Sequence, residues 1–406
     1  MAISIIEGGV CAPEGFVAGS VLAGIKKGRT KNDLSLIYSK CKANCAAVYT
    51  TNKVKGAPLT VTKENISDGK AQAIICNSGN ANTCNANGIE IAKETCKLVA
   101  KKLRIAAKDV VVASTGVIGQ PMSIEPIANA IPALCQSLSE NGSALAAEGI
   151  MTTDTKLKEI SVSFEVGGRI CKMGGIAKGS GMIHPNMATM LVFITTDCAI
   201  SSEMLKKALS TDVKNTFNMV SVDGDTSTND MVTVLANGKA GNKEITSQGK
   251  DFKEFMTALN TVTVNLCKKI AGDGEGATKL LECAVSGAKD EKCAKIIAKS
   301  VICSSLVKAA MFGADANWGR ILCAIGYSGA EVDVNRVDVS FISGKGEIPV
   351  CSQGAGVEFS EDFAKEILSE SEITIKIKLG DGDASAVAWG CDLTYDYVKI
   401  NGDYRT

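Results

Sequence analysis

Thr189 is the residue of this chain best set for nucleophilic chemistry. It closes a Gly-rich stretch and opens an apolar one within KGSGMIHPNMATMLVFI, Lys178 to Ile194. A threonine hydroxyl is a weak nucleophile at neutral pH and needs a base beside it; the α-amino group of the same residue is one known solution. The ordinary pKa of such an amine, roughly 7.7 to 8.0, lies close to the operating pH. Thr189 can offer that amine only after the Ala188–Thr189 bond is cut, so this chemistry implies self-cleavage. Residues 190 to 194 form a continuous apolar run of the kind that makes a buried strand, which would hold a new terminus rigidly. Upstream, Gly174, Gly175, Gly179 and Gly181 would let the backbone take left-handed or crowded conformations. The same pattern also fits a Gly-rich turn entering a core strand, and spacing alone does not decide between the two.

The elements that must position such a residue read as alternating α and β. Lys70 to Cys76 and Val110 to Ala113 are short buried strands, each running into a polar, Gly-rich turn. Between them Ile89 to Leu103 carries apolar positions at helical spacing with lysines outside. Ser123 to Leu138 is a second helix, with Pro126 in its first turn and a kink expected at Pro132. Ser201 or Ser202 should cap a helix reaching Phe217, and Asp290 one reaching about Leu306. Residues 278 to 286, 336 to 342 and 372 to 378 read as half-buried strands. No internal repeat or low-complexity linker is present.

Composition narrows the function classes. A chain of 406 residues, 45% hydrophobic and 22% charged, can bury one large core or two ordinary ones. Basic and acidic residues balance at 44 each, which gives no field to draw nucleic acid or an anionic membrane. The 16 cysteines are scattered through apolar contexts with no CxxC pair, as expected of small buried residues in a reducing compartment. The start, MAISIIEGG, lacks the basic and apolar regions of a signal peptide, and no long apolar span follows, so a cytoplasmic location is expected. His184 is the single histidine. That excludes histidine clusters for zinc, and its place five residues before Thr189 is assigned a packing or solvated role rather than catalysis. DGDTSTND (223 to 230) lacks the terminal Glu of a calcium loop, and NSGNAN (77 to 82) lacks the lysine of a phosphate-binding loop. Both are read as structured turns lining a site, and no metal is expected.

The segment KGSGMIHPNMATML closely resembles the processing site of the ornithine acetyltransferase family, the glutamate N-acetyltransferases of arginine biosynthesis, which cleave themselves at Ala-Thr. The resemblance runs the length of the chain, through GGVCAPEGF, CNSGNANTCNANG (76 to 88), ASTGVIG (113 to 119), MTTDT (151 to 155), SVDGDTSTND, GDGEGATK (272 to 279) and FGADANWGR (312 to 320). It implies an αββα-type core of the N-terminal-nucleophile kind with a smaller C-terminal lobe, an α/β fold. It also implies an α chain of 1 to 188, a β chain of 189 to 406, and an α2β2 assembly.

Site residues follow from the resemblance by position. Thr189 is the nucleophile, and Thr115 with Gly116 matches the oxyanion hole, whose donors are typically worth a factor of roughly 100 to 1,000 each. Thr152, Lys178, Glu275, Asn401 and the terminal Thr406 match substrate contacts, Lys178 being suited to the α-carboxylate that acetylornithine and glutamate share. The implied reaction is ping-pong: Thr189 takes the acetyl group of N2-acetylornithine, ornithine leaves, and glutamate accepts the acetyl. The acetyl unit rides on the protein, so no cofactor is expected. Whether acetyl-CoA also loads Thr189, as in some members, is left open. The competing readings are a self-processing amidohydrolase or aminopeptidase that uses water as acceptor, and an uncleaved, non-catalytic amino-acid-binding protein.

Overall fold

The computed structural model describes residues 3–184 and 190–403. Ala188, Thr189 and Thr406 lie outside the described residues. The architecture is mixed α/β, built on two sheets. The first has nine strands. From one edge they run Ser4–Ile6, Lys158–Val166, Arg169–Lys178, Leu191–Thr196, Met231–Ala236, Leu34–Tyr49, Lys70–Asn77 and Val110–Ser114, with Phe16–Val21 also paired to Leu34–Tyr49. The second has seven, and six of them fall between Leu280 and Cys391. This is the smaller C-terminal lobe.

The Leu191–Thr196 strand is buried along its whole length because both faces of the first sheet are covered there. Val192 and Ile194 point to the helix Lys250–Ala271, whose Val262, Leu266 and Ile270 share their cluster. Leu191 and Phe193 point the other way, toward Ile176 and the small residues Ala146 and Ala147 of the helix Ser143–Gly149. A strand covered on both sides needs a continuous apolar run rather than an alternating one, which is why this segment reads as it does. It runs parallel to Met231–Ala236 and antiparallel to Arg169–Lys178, with Lys178 opposite Leu191. The two strands therefore form a hairpin, and Lys178 stands at its base, where the chain leaves for the segment that opens at Gly179.

The glycines before this loop act by crowding alone. None of Gly174, Gly175, Gly179 and Gly181 has a left-handed φ; among the described residues of this stretch Met182 has one, at φ 56°. A Cβ on Gly174 would lie 1.7 Å from the Gly9 carbonyl oxygen, and one on Gly175 would press on Leu266 at 3.0 Å.

Two helices end earlier than their periodicity predicts. The one capped by Ser201 stops at Asp212, and the one capped by Asp290 stops at Cys303. In the second case Ser304 leaves helical geometry and its hydroxyl accepts from Val307 N–H, capping a new helix, Ser305–Phe312. Local side-chain capping thus competes with continuation of the apolar face. Conversely, the helix Glu125–Gln136 runs through Pro132.

A buried cation ties the first sheet to the loop and to the chain that leaves the long helix. Lys158, 1% exposed, donates from Nζ to Asp154 at 2.7 Å and to Asp273 at 2.5 Å. Asp273 follows the long helix, and Asp154 precedes the strand Lys158–Val166. Removing one partner of a buried ion pair leaves an uncompensated charge and costs about 3 to 5 kcal/mol. Lys158→Met should therefore lower the unfolding free energy by about that amount, since two carboxylates lose their cation. Urea unfolding at pH 7 measures it, and an unchanged midpoint would show that the pair is not structural.

Candidate active site

Thr115 and Gly116 follow the buried strand Val110–Ser114, and their turn is set by the asparagine-rich loop beside it. Thr115 N–H donates to the Asn77 carbonyl at 2.9 Å. The Asn77 side chain accepts from Gly79 and Asn80 N–H while donating to Ser114 Oγ. Gly116 has φ 130°, and a Cβ there would lie 2.9 Å from Asn80 N, so only glycine fits. The Asn229 amide closes this wall by donating to Ala81 and Ser114 carbonyls at 2.5 and 3.0 Å.

Thr115, Gly116, Thr152, Lys178, Glu275 and Asn401 all line one cavity of about 120 Å³, with Ser227, Thr228, Asn229 and Ala81 among the other residues of its wall. Of the described residues assigned to the site from sequence, every one is here. Lys178 Nζ reaches Thr115 Oγ1 at 3.4 Å across 63 positions of sequence. Thr152 is fixed by its N–H, which donates to Asp154 Oδ2 at 3.0 Å. Asp154 also accepts from Gly179 N–H at 2.7 Å, at the first turn of the hairpin loop. Burial alone would push the Asp154 carboxyl upward; the charges of Lys178 and Lys158 with these hydrogen bonds overcome it and bring it down to about 2. Asp154 is thus an anion that holds the loop and the cation together.

The other end of the cavity is formed by the second lobe. Glu275 N–H donates to the Ser180 carbonyl at 3.1 Å, and its carboxylate accepts from Asn401 Nδ2 at 2.8 Å. Asn401 belongs to the last helix, Tyr395–Asp403, which therefore reaches the cavity. Behind Asn229, Asp230 is buried with one carboxylate oxygen lacking a partner among the described residues, and burial holds its carboxyl well above the ordinary range despite Ser227 and the charge of Lys178.

Sequence reading missed the anchors. Asp154, Lys158, Asp273 and Asp223 touch the loop or its supports, yet none carries a spacing signature of chemistry. The one available signal was the place of Asp154, Asp273 and Asp223 inside the blocks MTTDT, GDGEGATK and SVDGDTSTND; Lys158 lies in none of them. His184 sits at the end of the described part of the loop. Its Nδ1 lies 3.1 Å from Ser221 Oγ and 3.6 Å from Cys303 Sγ, and it does not line the cavity. Burial first, then the nearby charge of Lys299, hold the imidazole down at about 4, against a weaker upward pull from Asp225.

The chain matches the family model described as the ArgJ family over residues 17–406. It is 53% identical, over the full length of both chains, to the arginine biosynthesis bifunctional protein ArgJ of Caldanaerobacter subterraneus subsp. tengcongensis. It is 47% identical to the protein of that name in Listeria monocytogenes, again over the full length of both. The solved structure of the Bacillus halodurans arginine biosynthesis bifunctional protein argJ aligns with a TM-score of 0.50 at 47% identity, covering 52% of this chain and 98% of that one. Among the described residues no helix is long and apolar enough to cross a membrane.

The depressed His184 pKa gives a pH dependence. A base whose folded value lies below its ordinary 6.5 is held neutral by the fold, so its contribution is complete above about 6.5 and is lost as pH falls toward about 4. His184→Gln should flatten the fall in stability across that window. Urea midpoints at pH 7 and pH 5 measure it, and parallel falls in both proteins would assign the effect elsewhere.

Proposed function

Because the chain belongs to the ArgJ family, we propose that it is a self-cleaving acetyltransferase of arginine biosynthesis, carrying acetyl from N2-acetylornithine to glutamate through acetyl-Thr189. The observation that carries this reading is the convergence of Thr115, Gly116, Thr152, Lys178, Glu275 and Asn401 on one small cavity at the base of the hairpin that contains the Ala188–Thr189 bond. These residues come from both sides of that bond, so the α chain (1 to 188) and β chain (189 to 406) stay together around the site after cleavage. The active assembly is α2β2, in the cytoplasm. A relative's chain that matches over nearly its whole length yet spans little more than half of this one is consistent with such separate subunits.

Cleavage exposes the Thr189 amine, which takes the proton as Oγ attacks the acetyl carbonyl. Negative charge then develops on the acetyl oxygen. The Thr115 hydroxyl and the Gly116 N–H are the donors that would receive it, and an oriented donor that needs no rearrangement is what stabilises the transition state. Lys178 sits beside Thr115 and lines the same cavity as Glu275, so a cation and an anion would face a ligand that carries an α-carboxylate and an amine. Ornithine leaves, glutamate binds in the same place and removes the acetyl. No cofactor takes part; acetyl-CoA is a second acetyl donor if its thioester reaches the same oxygen.

Three variants test this. Thr189→Ala should stay a single chain near 42 kDa on a denaturing gel, while the unaltered protein gives a fragment beginning Thr-Met-Leu-Val. Intact yet active protein would rule out the amine as base. Thr115→Ala should lower kcat by about 100-fold or more with little change in KM, the signature of a transition-state contact. A raised KM at unchanged kcat would remove Thr115 from the oxyanion hole. Lys178→Met, once shown to be cleaved, should weaken acetylornithine and glutamate together by about 2 to 5 kcal/mol. Normal kinetics for either substrate would refute the shared carboxylate contact, and release of acetate without N-acetylglutamate would make the protein a hydrolase.

A further inference from the structure

Resting on the reading of Thr115 and Gly116 as the oxyanion hole, we propose that Thr83 is a positioning residue for that hole, acting through the side-chain amide of Asn229. Thr83 belongs to the block CNSGNANTCNANG, which supplies no reacting group. It is 1% exposed and stands behind the cavity wall rather than in it. Its hydroxyl donates to Asn229 Oδ1 at 2.6 Å, across 146 positions of sequence, and the Thr228 hydroxyl donates to the same oxygen at 2.6 Å.

The other end of the amide sets the turn. Asn229 Nδ2 donates to the Ala81 and Ser114 carbonyls at 2.5 and 3.0 Å. A carbonyl only accepts, so the NH2 must face this pair and the amide oxygen must face the two hydroxyls. The peptide between Ser114 and Thr115 is then held at both ends, its carbonyl by Asn229 and its N–H by the Asn77 carbonyl at 2.9 Å. A planar unit fixed in this way sets the direction in which the chain enters Thr115 and goes on to Gly116. The main chain repeats the grip further along: Ala81 N–H donates to the Val117 carbonyl at 2.9 Å, and Gly119 N–H to the Thr83 carbonyl at 3.0 Å. Thr83 thus holds the turn twice, once through its backbone and once through Asn229.

Asn229 has its own support. Gly56 N–H donates to the Thr228 carbonyl at 3.0 Å and Thr50 N–H to the Asp230 carbonyl at 3.0 Å, which pins the chain on both sides of Asn229. Gly56 also packs against the amide. A Cβ there would lie 2.5 Å from Asn229 Nδ2, 2.8 Å from its Cγ and 2.9 Å from its Oδ1, the three nearest atoms. Gly56 has φ −63° and ψ 141°, a conformation open to residues with side chains, so alanine at this position brings no backbone strain and meets the Asn229 amide first. Donors that receive charge in a transition state act by being in place before it develops, and an error of about 1 Å can cost about 100-fold. Neither Thr83 nor Gly56 lines the cavity, so an effect of theirs on turnover has Asn229 as its route.

The test measures kcat and KM of the cleaved protein for acetyl transfer from N2-acetylornithine to glutamate, in Thr83→Val, Thr83→Ser, Gly56→Ala, Thr115→Ala and the double variant Thr83→Val/Thr115→Ala. Valine keeps the shape of threonine without its hydroxyl. Thr83→Val should lower kcat about 5-fold at unchanged KM, the worth of one neutral hydrogen bond, and Thr83→Ser, which keeps the hydroxyl, should restore it. Gly56→Ala should lower kcat about 10-fold or more, again at unchanged KM. Added to Thr115→Ala, Thr83→Val should cost a smaller factor than it does alone, because part of what it positions is already gone. A raised KM at unchanged kcat, a loss that serine does not restore, or the full factor on top of Thr115→Ala overturns the role of Thr83. Unchanged kcat in Gly56→Ala overturns the route through Asn229. Should one of Thr83→Val and Gly56→Ala fail to fold, the other decides by the same criterion. Thr115→Ala at unaltered kcat would instead overturn the oxyanion reading, and the proposal with it.

Discussion

The site depends on one buried cation. Lys158 sits where the strand Lys158–Val166, the turn carrying Thr152, the hairpin loop and the second lobe meet, and its two carboxylates reach into three of them. Charge buried at this depth is stable only when paired and fully hydrogen-bonded. Asp154 meets that demand with the Thr152 and Gly179 amides, and Asp273 with the Thr155 and Lys156 amides. Satisfying one lysine therefore fixes four backbone segments at once. Apolar packing of the same volume would be no less stable, but it could not orient amides.

From that anchor outward, polar contacts position residues that the apolar core only brings near. The core explains why the strands Arg169–Lys178 and Leu191–Thr196 pair, and so why Lys178 stands at the base of the loop. It does not explain the direction of the loop. Each step from Gly179 to His184 is settled by a side chain or amide: Asp154, Asp273, Glu275, Asp223 and Thr226. An acyl-transfer site needs this division of labour, because catalysis rewards groups held in place before charge develops. The turn at Thr115 and Gly116 is built likewise, with Asn77 and Asn229 taking up the neighbouring backbone groups.

Much of this was legible in the sequence for identifiable reasons. The strands at 70, 110 and 191 read correctly because burial on both faces demands unbroken apolar runs, and the helix Gly88–Leu103 because one wet face leaves a period. The cap at Ser201 was readable as well. Helix ends at 212 and 303 were not, since the apolar spacing continues past them and competing caps at Ser304 and the turn before Phe217 decide. Thr115, Gly116, Thr152, Lys178, Glu275 and Asn401 are legible only through the family resemblance, and the fold brings all of them to one cavity.

What the sequence by itself determined was the apolar strand that must be buried, the family likeness of the blocks around Ala188–Thr189, and the residue types able to do acyl transfer. Tertiary structure alone decided that Lys178 meets Thr115 across 63 positions, that Glu275 is joined to the last helix, and that Asp154 and Asp273 share Lys158. The physical reason is that periodicity records which face of an element leaves water, a local property. A carboxylate's partner is chosen by whichever donors the packed chain brings within about 3 Å, and nothing in the neighbouring residues encodes that distance.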